Sequence, residues 1–217
     1  MSSEGSAFGG QAGRSRDKLG GDLICAHVED NVGLRGQLKN LMEGKLVRIR
    51  ALEKKDLDSV MRWVNDPEIT KNLSSFFLYP TSREQEEKWL EDIHNFNSTD
   101  KVFAFETKQG LYLGNIGLHR INWKDRHAEL AIAIGKKEDW DKGYGSDAVL
   151  TLLDFTFNRM NLHRIYLRVW DFNLRAIKSY ENCGFKREGI LREGHFEDGK
   201  YHDVVMMGIL KEEFNGS

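Results

Sequence analysis

Residues 132–160 constrain the fold of this chain more than any other stretch, because a strand pattern, a glycine turn and a helix pattern follow one another. The apolar run from Ile132 ends at Gly135, and Gly143 and Gly145 then open a segment with apolar residues at helical spacing. Glycine lets the backbone approach a ligand closely, and the first turn of a helix presents unpaired N–H groups. The stretch therefore predicts a strand–loop–helix unit with an anion site, for a phosphate or pyrophosphate, at the helix start.

A tight turn without a ligand is the alternative interpretation of the same glycines. The sequence contains no Gly-x-x-x-x-Gly-Lys-Ser/Thr, which excludes a P-loop. It also lacks the third glycine of a dinucleotide fingerprint, since Ala148 and Val149 stand at or beside that position. The glycine pattern alone thus leaves the turn and the anion site both open.

Composition limits the classes of partner. The 217 residues carry a net charge of −2, which provides no general basic field for nucleic acid. Cys25 and Cys183 are the only cysteines, so a disulfide framework and a cysteine-based zinc site are disfavoured and a reducing compartment is favoured. No stretch approaches the roughly 20 apolar residues of a membrane span. We expect a cytoplasmic protein that binds neither membranes nor nucleic acid directly.

The order of patterns predicts a mixed α/β (α+β) domain. Residues 1–44 are expected to be a disordered or weakly structured extension, whose first part is rich in glycine and serine, and residues 45–217 the folded domain. The predicted elements are a strand at 46–50, a helix from Leu57 to Val64 ended by Asn65-Asp66-Pro67, a helix capped by Thr81 or Ser82 and running to Ile93, strands at 101–107, 112–121 and 128–134, a helix after Gly145, a strand at 164–170, a helix capped by Asn173 and ended by Gly184, and strands at 185–191 and 201–209 joined by Asp198-Gly199.

Two blocks in this order resemble a known family. Residues 140–146, WDKGYGS, and residues 173–185, NLRAIKSYENCGF, are similar to the GCN5-related N-acetyltransferase (GNAT) superfamily, and the similarity covers about residues 45–212. Residues 63–68 and 192–201 resemble the branch of ribosomal-protein N-terminal acetyltransferases and spermidine acetyltransferases. One departure is Trp140, which stands where the family usually has Gln or Arg.

The resemblance implies a GNAT fold, with a central mixed, mostly antiparallel sheet flanked by helices and two splayed central strands that form the cleft for coenzyme A. It further implies transfer of an acetyl group from acetyl-CoA directly to a primary amine, without a metal. The main chain at Ile132, Ala133 and Ile134 would pair with the pantetheine, and N–H groups from Lys142 to Ser146 would hold the pyrophosphate. The residues that the resemblance assigns to acetyl-CoA are Ile132, Ala133, Ile134, Trp140, Lys142, Gly143, Tyr144, Gly145, Ser146 and Asn173.

Tyr180 and Glu129 are the catalytic candidates. Seven residues separate Asn173 from Tyr180, which places both on one helix face about 10 Å apart. By resemblance Asn173 contacts the pantetheine and Tyr180 approaches the thioester sulfur, where a phenol can protonate the departing thiolate. Glu129 begins the strand beside small residues and is the candidate base, with His119 and His127 as alternatives. The competing interpretations are a helix cap for Asn173, a core aromatic for Tyr180 and a surface carboxylate for Glu129.

The acceptor is the least constrained part. A protein N-terminus, a polyamine such as spermidine and an amino sugar all remain candidates, and a non-catalytic acyl-CoA sensor with the same fold is the alternative function. The family often dimerises, so a homodimer is possible. Acidic or polar residues that could face an amine are Glu68, Glu193, His195 and Asp203.

Overall fold

The computed structural model describes residues 42–73, 77–95 and 97–215. Of the predicted extension at 1–44, all but the last three residues lie outside this range. Met42–Glu43 form strand β1, which pairs antiparallel with Ile49 and Arg48, so the sheet already includes residues assigned to the extension. The division into residues 1–44 and 45–217 otherwise stays a prediction.

The predicted order of helices and strands is confirmed. The further strands are β2 Val47–Ala51, β3 Lys101–Thr107, β4 Tyr112–Asn122, β5 His127–Ile134, β6 Arg164–Trp170, β7 Lys186–Glu197 and β8 Lys200–Leu210. The helices are α1 Leu57–Val64, α2 Pro67–Thr70, α3 Arg83–Ile93, α4 Tyr144–Asn158 and α5 Leu174–Asn182. The strands form one sheet in the order β1-β2-β3-β4-β5-β6-β8-β7, and every neighbouring pair is antiparallel except β5 with β6.

The parallel pair is the feature that positions the site. Its register covers His127 to Glu129 of β5 opposite Arg164 to Tyr166 of β6 and extends no further among the described residues. β5 continues beside β4 as far as Ile134, opposite Gly114. The two central strands therefore diverge after Glu129, which confirms the splayed sheet that the resemblance implied.

Helix ends follow the expected capping chemistry. Ser82 caps α3, with its hydroxyl accepting from the Gln85 N–H while the Gln85 side chain accepts from the Ser82 N–H. Asn173 caps α5, as predicted. Pro67 was predicted to end α1, but it also begins α2, with Asp66 as the cap, because proline is favoured in the first turn of a helix.

Helix α4 carries much of the core. Val149, Leu152, Leu153 and Phe157 are each at most 1% exposed and belong to a cluster that includes both central strands. A second apolar cluster joins α1, α2 and α3 to β3. No helix among the described residues is long and apolar enough to cross a membrane.

Candidate active site

The divergence of β5 and β6 coincides with a cavity of about 900 Å³. Its lining includes Tyr180, Glu129 and all the residues predicted to bind acetyl-CoA except Lys142. The residues that the structure brings together in this way are Glu129, Ile132, Ala133, Ile134, Trp140, Gly143, Tyr144, Gly145, Ser146, Asn173 and Tyr180. Residues distant in the sequence thus converge on one site, while the role of each stays a prediction.

β5 presents an open edge to this cavity. Ile132 and Ile134 pair with Ile116 and Gly114 of β4, and on the other side of β5 the described residues provide no ladder partner beyond Glu129. Main-chain N–H and C=O groups need hydrogen-bond partners. An extended ligand with amide groups, such as a pantetheine arm, could provide them along this edge.

The start of α4 has the geometry of an anion site. Gly143 is the N-cap in the left-handed region, with φ of 81°, and the first α-helical hydrogen bond runs from the Asp147 N–H to the Gly143 carbonyl at 3.0 Å. The N–H groups of Tyr144, Gly145 and Ser146 precede that bond and have no partner within the helix. A Cβ atom on Gly145 would lie 3.3 Å from Cδ1 of Ile134, so this turn passes close to the strand edge.

The two lysines beside this turn pair with acidic side chains, whereas an arginine lines the cavity. Lys142 Nζ lies 3.2 Å from Asp139 Oδ1, and Lys137 pairs with Glu68. Arg175, in the first turn of α5, stacks its guanidinium over the Trp140 ring, 3.6 Å from the ring centroid. Arg175 could not be singled out from the sequence, because nothing in the neighbouring residues distinguishes it from a solvated helix arginine.

Asn173 and Tyr180 both line the cavity from α5. The Asn173 Oδ1 accepts from the Ala176 N–H at 3.2 Å, so the cap uses the amide oxygen and the NH₂ group remains for other partners. Tyr180 packs edge-on against Phe185, with ring centroids 5.8 Å apart. Burial raises the pKa of Tyr180 well above its usual value of 10.0, so the phenol keeps its proton at neutral pH.

Glu129 is buried, contrary to the surface alternative, and lies at the point where the strands diverge. Its Oε1 accepts from Arg168 Nε at 2.7 Å and its Oε2 from Arg120 Nη1 at 3.0 Å. Sequence reasoning missed both arginines. The alternative base His119 also lines the cavity and pairs with Asp100 at 2.9 Å, whereas His127 does not line it.

Cys183 is close to the site but is a poor nucleophile. Its thiol lies 3.7 Å from the Ser146 carbonyl, and burial raises the pKa of Cys183 to about 11. A protonated thiol does not attack a thioester readily. The arrangement therefore favours direct transfer to an amine over a route through an acyl-cysteine.

None of the residues considered for the acceptor lies in this cavity. Glu68 is bound to Lys137, the Asp203 carboxylate accepts from the Glu193 N–H at 2.8 Å, and His195 stacks on Trp170 with centroids 4.0 Å apart. The carboxylates that do line it are Glu86, Asp100, Glu129, Asp139 and Asp141. Among the described residues, no group of three or more His, Cys, Asp or Glu side chains could hold a metal ion.

Comparison with known proteins gives a consistent match. The model of the acetyltransferase (GNAT) domain family matches residues 47–186. The spermidine N(1)-acetyltransferase of Vibrio cholerae serotype O1 is 35% identical over 169 residues, which cover 76% of this chain and 94% of that protein. The spermidine N(1)-acetyltransferase of Escherichia coli K12 is 30% identical, with 77% and 88% covered.

Two further matches extend the comparison. The putative ribosomal N-acetyltransferase YdaF of Bacillus subtilis is 27% identical, with 78% of this chain and 94% of that protein covered. Among solved structures, the spermidine N-acetyltransferase of Vibrio cholerae in complex with CoA and spermine superimposes with a TM-score of 0.69 at 35% identity. That match covers 77% of this chain and 96% of the other.

Proposed function

This chain belongs to the GNAT family of acetyltransferases, and we propose that its acceptor is a linear polyamine of the spermidine type. The protein is an acetyl-CoA-dependent N-acetyltransferase, which moves an acetyl group from the thioester to an amine. The observation that carries the polyamine assignment is the similarity to an enzyme solved with CoA and spermine, at a TM-score of 0.69 and over 96% of its length.

The cavity fits the donor in two separate places. The turn at Gly143 leaves a cradle of helix N–H groups that suits a pyrophosphate, and the open edge at Ile132 to Ile134 suits an amide-bearing arm. Within this proposal Asn173 contacts the arm with its NH₂ group. The Arg175–Trp140 stack places a positive charge in the lining of the same cavity.

Acetyl-CoA supplies an activated acyl group and a thiolate leaving group, and the protein supplies the proton transfers. Tyr180 is protonated at neutral pH, as a general acid for the departing sulfur must be, and burial raises its pKa further. An ammonium group with a pKa near 10 must lose a proton before it can attack. Glu129 is the proposed acceptor of that proton, through a water, although two arginines bind its oxygens.

A protein N-terminal amine is the second candidate acceptor, because one relative is a putative ribosomal N-acetyltransferase. The two candidates separate in a competition experiment. The purified protein is given acetyl-CoA with an equimolar mixture of spermidine, glucosamine and a peptide with a free N-terminus, and the acetylated products are quantified by mass spectrometry. We expect acetylspermidine to dominate, and a predominance of acetylated peptide or sugar would contradict the polyamine assignment.

Two further expectations belong to this proposal. A homodimer is expected, and light scattering of the purified chain would measure its mass directly against the 25.0 kDa of one copy. A cytoplasmic site of action is supported by the scarcity of cysteine, since the described one, Cys183, is a free thiol.

A further inference from the structure

Glu86 is a buried carboxylate in the lining of the cavity. It lies on α3, is 3% exposed, and contributes to the same cavity as Tyr180 and Glu129. Among the described residues no hydrogen bond or ion pair involves its side chain, and burial is the only influence on its pKa. This lack of a partner distinguishes Glu86 from the other buried or half-buried carboxylates that line the cavity. Those other carboxylates have partners: Asp100 has His119, Glu129 has Arg120 and Arg168, and Asp139 has Lys142.

An unpaired buried carboxylate is unfavourable. Removing a charged group from water costs several kcal/mol unless a partner of opposite charge or a set of donors replaces the water. The same burial raises the pKa of Glu86 above its usual value of 4.5. A cationic group that entered the cavity at this point would provide the missing counter-charge.

Aromatic side chains that suit an ammonium ion on an aliphatic chain line the same cavity as Glu86, and one of them, Trp89, lies three residues after it on α3. Trp63, Phe77 and Trp89 line the same cavity from neighbouring segments, and the Trp63 and Phe77 rings lie 5.8 Å apart at 55°. Aromatic faces attract ammonium groups and also pack against methylene groups. We call the part of the cavity formed by Trp63, Phe77, Glu86 and Trp89 the aromatic lobe.

We propose that Glu86 binds a second ammonium group of the acceptor in the aromatic lobe, while another amine of the same molecule is acetylated. This inference rests on the proposed function and makes Glu86 a binding residue for acceptors with at least two positive charges. It explains how the cavity could favour polyamines over monoamines: a monoamine placed for acetylation leaves Glu86 without a partner.

The test compares Glu86→Gln with Glu87→Gln, an exposed neighbour on the same helix. A hydrogen bond to a charged group is worth about 1.5–3 kcal/mol, and each tenfold change corresponds to about 1.4 kcal/mol. We therefore expect Glu86→Gln to raise the KM for spermidine by about tenfold or more, with a smaller effect on kcat and on the KM for acetyl-CoA. Glu87→Gln should retain the wild-type KM for spermidine.

An unchanged KM for spermidine in Glu86→Gln would overturn the inference while the proposed function stands. Absence of acetyl transfer to spermidine in the wild-type protein would instead refute the proposed acceptor. Thermal unfolding checks the fold: the neutral amide removes a buried charge, so the variant should be no less stable than the wild type. If it fails to fold, Glu86→Asp replaces it, where a raised KM for spermidine supports the inference and an unchanged one overturns it.

Discussion

Tyr180 occupies surroundings that suit a proton donor, which the sequence alone could not indicate. Its position seven residues after Asn173 predicted a shared helix face, and both residues do line one cavity. A phenol with the ordinary pKa of 10.0 is already protonated at neutral pH, and the further rise in the pKa of Tyr180 comes from its burial beside Phe185 and the core around α5. The residue type and spacing were therefore predictable, and the raised pKa was not.

Replacing Tyr180 by Phe removes the proposed acid and retains the ring. General acid catalysis contributes about 10²–10⁴-fold, so we expect kcat to fall by at least about 100-fold while the affinity for CoA is retained. Steady-state kinetics and calorimetric CoA binding measure the two quantities. Wild-type turnover by Tyr180→Phe would show that the phenol is not the acid.

The pH dependence follows from the same raised pKa. The acid is active in its protonated form, which exists below its pKa, so activity is lost only as the pH rises through that value. Because burial raises the pKa of Tyr180 above 10.0, kcat should show no alkaline decline from this group up to about pH 10. A decline in kcat centred between pH 8 and 9 that Tyr180→Phe abolishes would contradict this expectation.

Asp147 shows how a residue that sequence reasoning passed over can hold the site together. Its carboxylate accepts from the main-chain N–H groups of Lys45, Leu46 and Val47 at 2.9, 2.7 and 2.9 Å. These contacts join the first turn of α4 to the start of β2, about one hundred residues earlier in the chain. Pairings at that separation leave no local pattern. Arg120 and Arg168 were missed beside Glu129 because they reach it from the neighbouring strands β4 and β6, across the sheet.

Replacing Asp147 by Ala should destabilise the protein by about 3 kcal/mol, because three main-chain N–H groups, one of them buried, lose a charge-assisted partner. Asp154→Ala, at an exposed position of the same helix, is the matched control and should cost less than about 1 kcal/mol. Urea unfolding of the two variants measures the difference. Equal stability of the two would mean that the Asp147 contacts contribute little.

At the scale of elements, local patterns set most boundaries. β3 and β6 have the predicted bounds, and the Asp198-Gly199 turn has both residues at positive φ, 49° and 78°, as a tight hairpin requires. β7 was predicted to end at Leu191 but runs to Glu197, because it passes Arg192-Glu193-Gly194 through an irregularity between Leu191 and His195. The strand continues because residues 195–197 pair with β8. The local sequence Arg192-Glu193-Gly194 resembles a turn and therefore predicted an end to the strand.

The sequence predicted that α4 starts beside a ligand near the end of β5, but it did not predict how close α4 and β5 lie to each other. Glycine at the helix start indicated close contact with a ligand, and the structure adds that Gly145 also lies against Ile134. Gly145 therefore lies between the proposed pyrophosphate and the edge of β5, and a side chain there would contact both. A methyl group there would disturb both.

Replacing Gly145 by Ala should weaken acetyl-CoA binding by about tenfold, equivalent to about 1.4 kcal/mol, since the added Cβ lies 3.3 Å from Ile134. Alanine is the better helix former by about 1 kcal/mol, so thermal stability should not fall. Gly189→Ala, where nothing lies within 4 Å, is the control and should bind normally. Calorimetry reports both, and wild-type affinity in Gly145→Ala would argue against a ligand at this turn.

At the scale of the whole molecule, the order of elements and the two blocks at 140–146 and 173–185 predicted the fold, whereas the acceptor side did not follow from them. The donor site depends on residues close together in the sequence, at 132–134 and 140–146. Helix α5, which follows after strand β6, completes it. The acceptor side depends on α1, α3 and their aromatic residues, which reach the same cavity only through the packing of the second apolar cluster. The donor was therefore predictable and Glu86 was not.

We conclude that the protein transfers an acetyl group from acetyl-CoA to an amine bound in this cavity. Amine-dependent release of free thiol tests this conclusion most directly. Acetyl-CoA is incubated with the purified protein, with and without spermidine, and the liberated CoA is followed with a thiol reagent, alongside calorimetric binding of CoA. We expect saturable thiol release that requires both protein and spermidine. Tight CoA binding without thiol release for spermidine, amino sugars or N-terminal peptides would contradict it and would identify the protein as an acyl-CoA sensor.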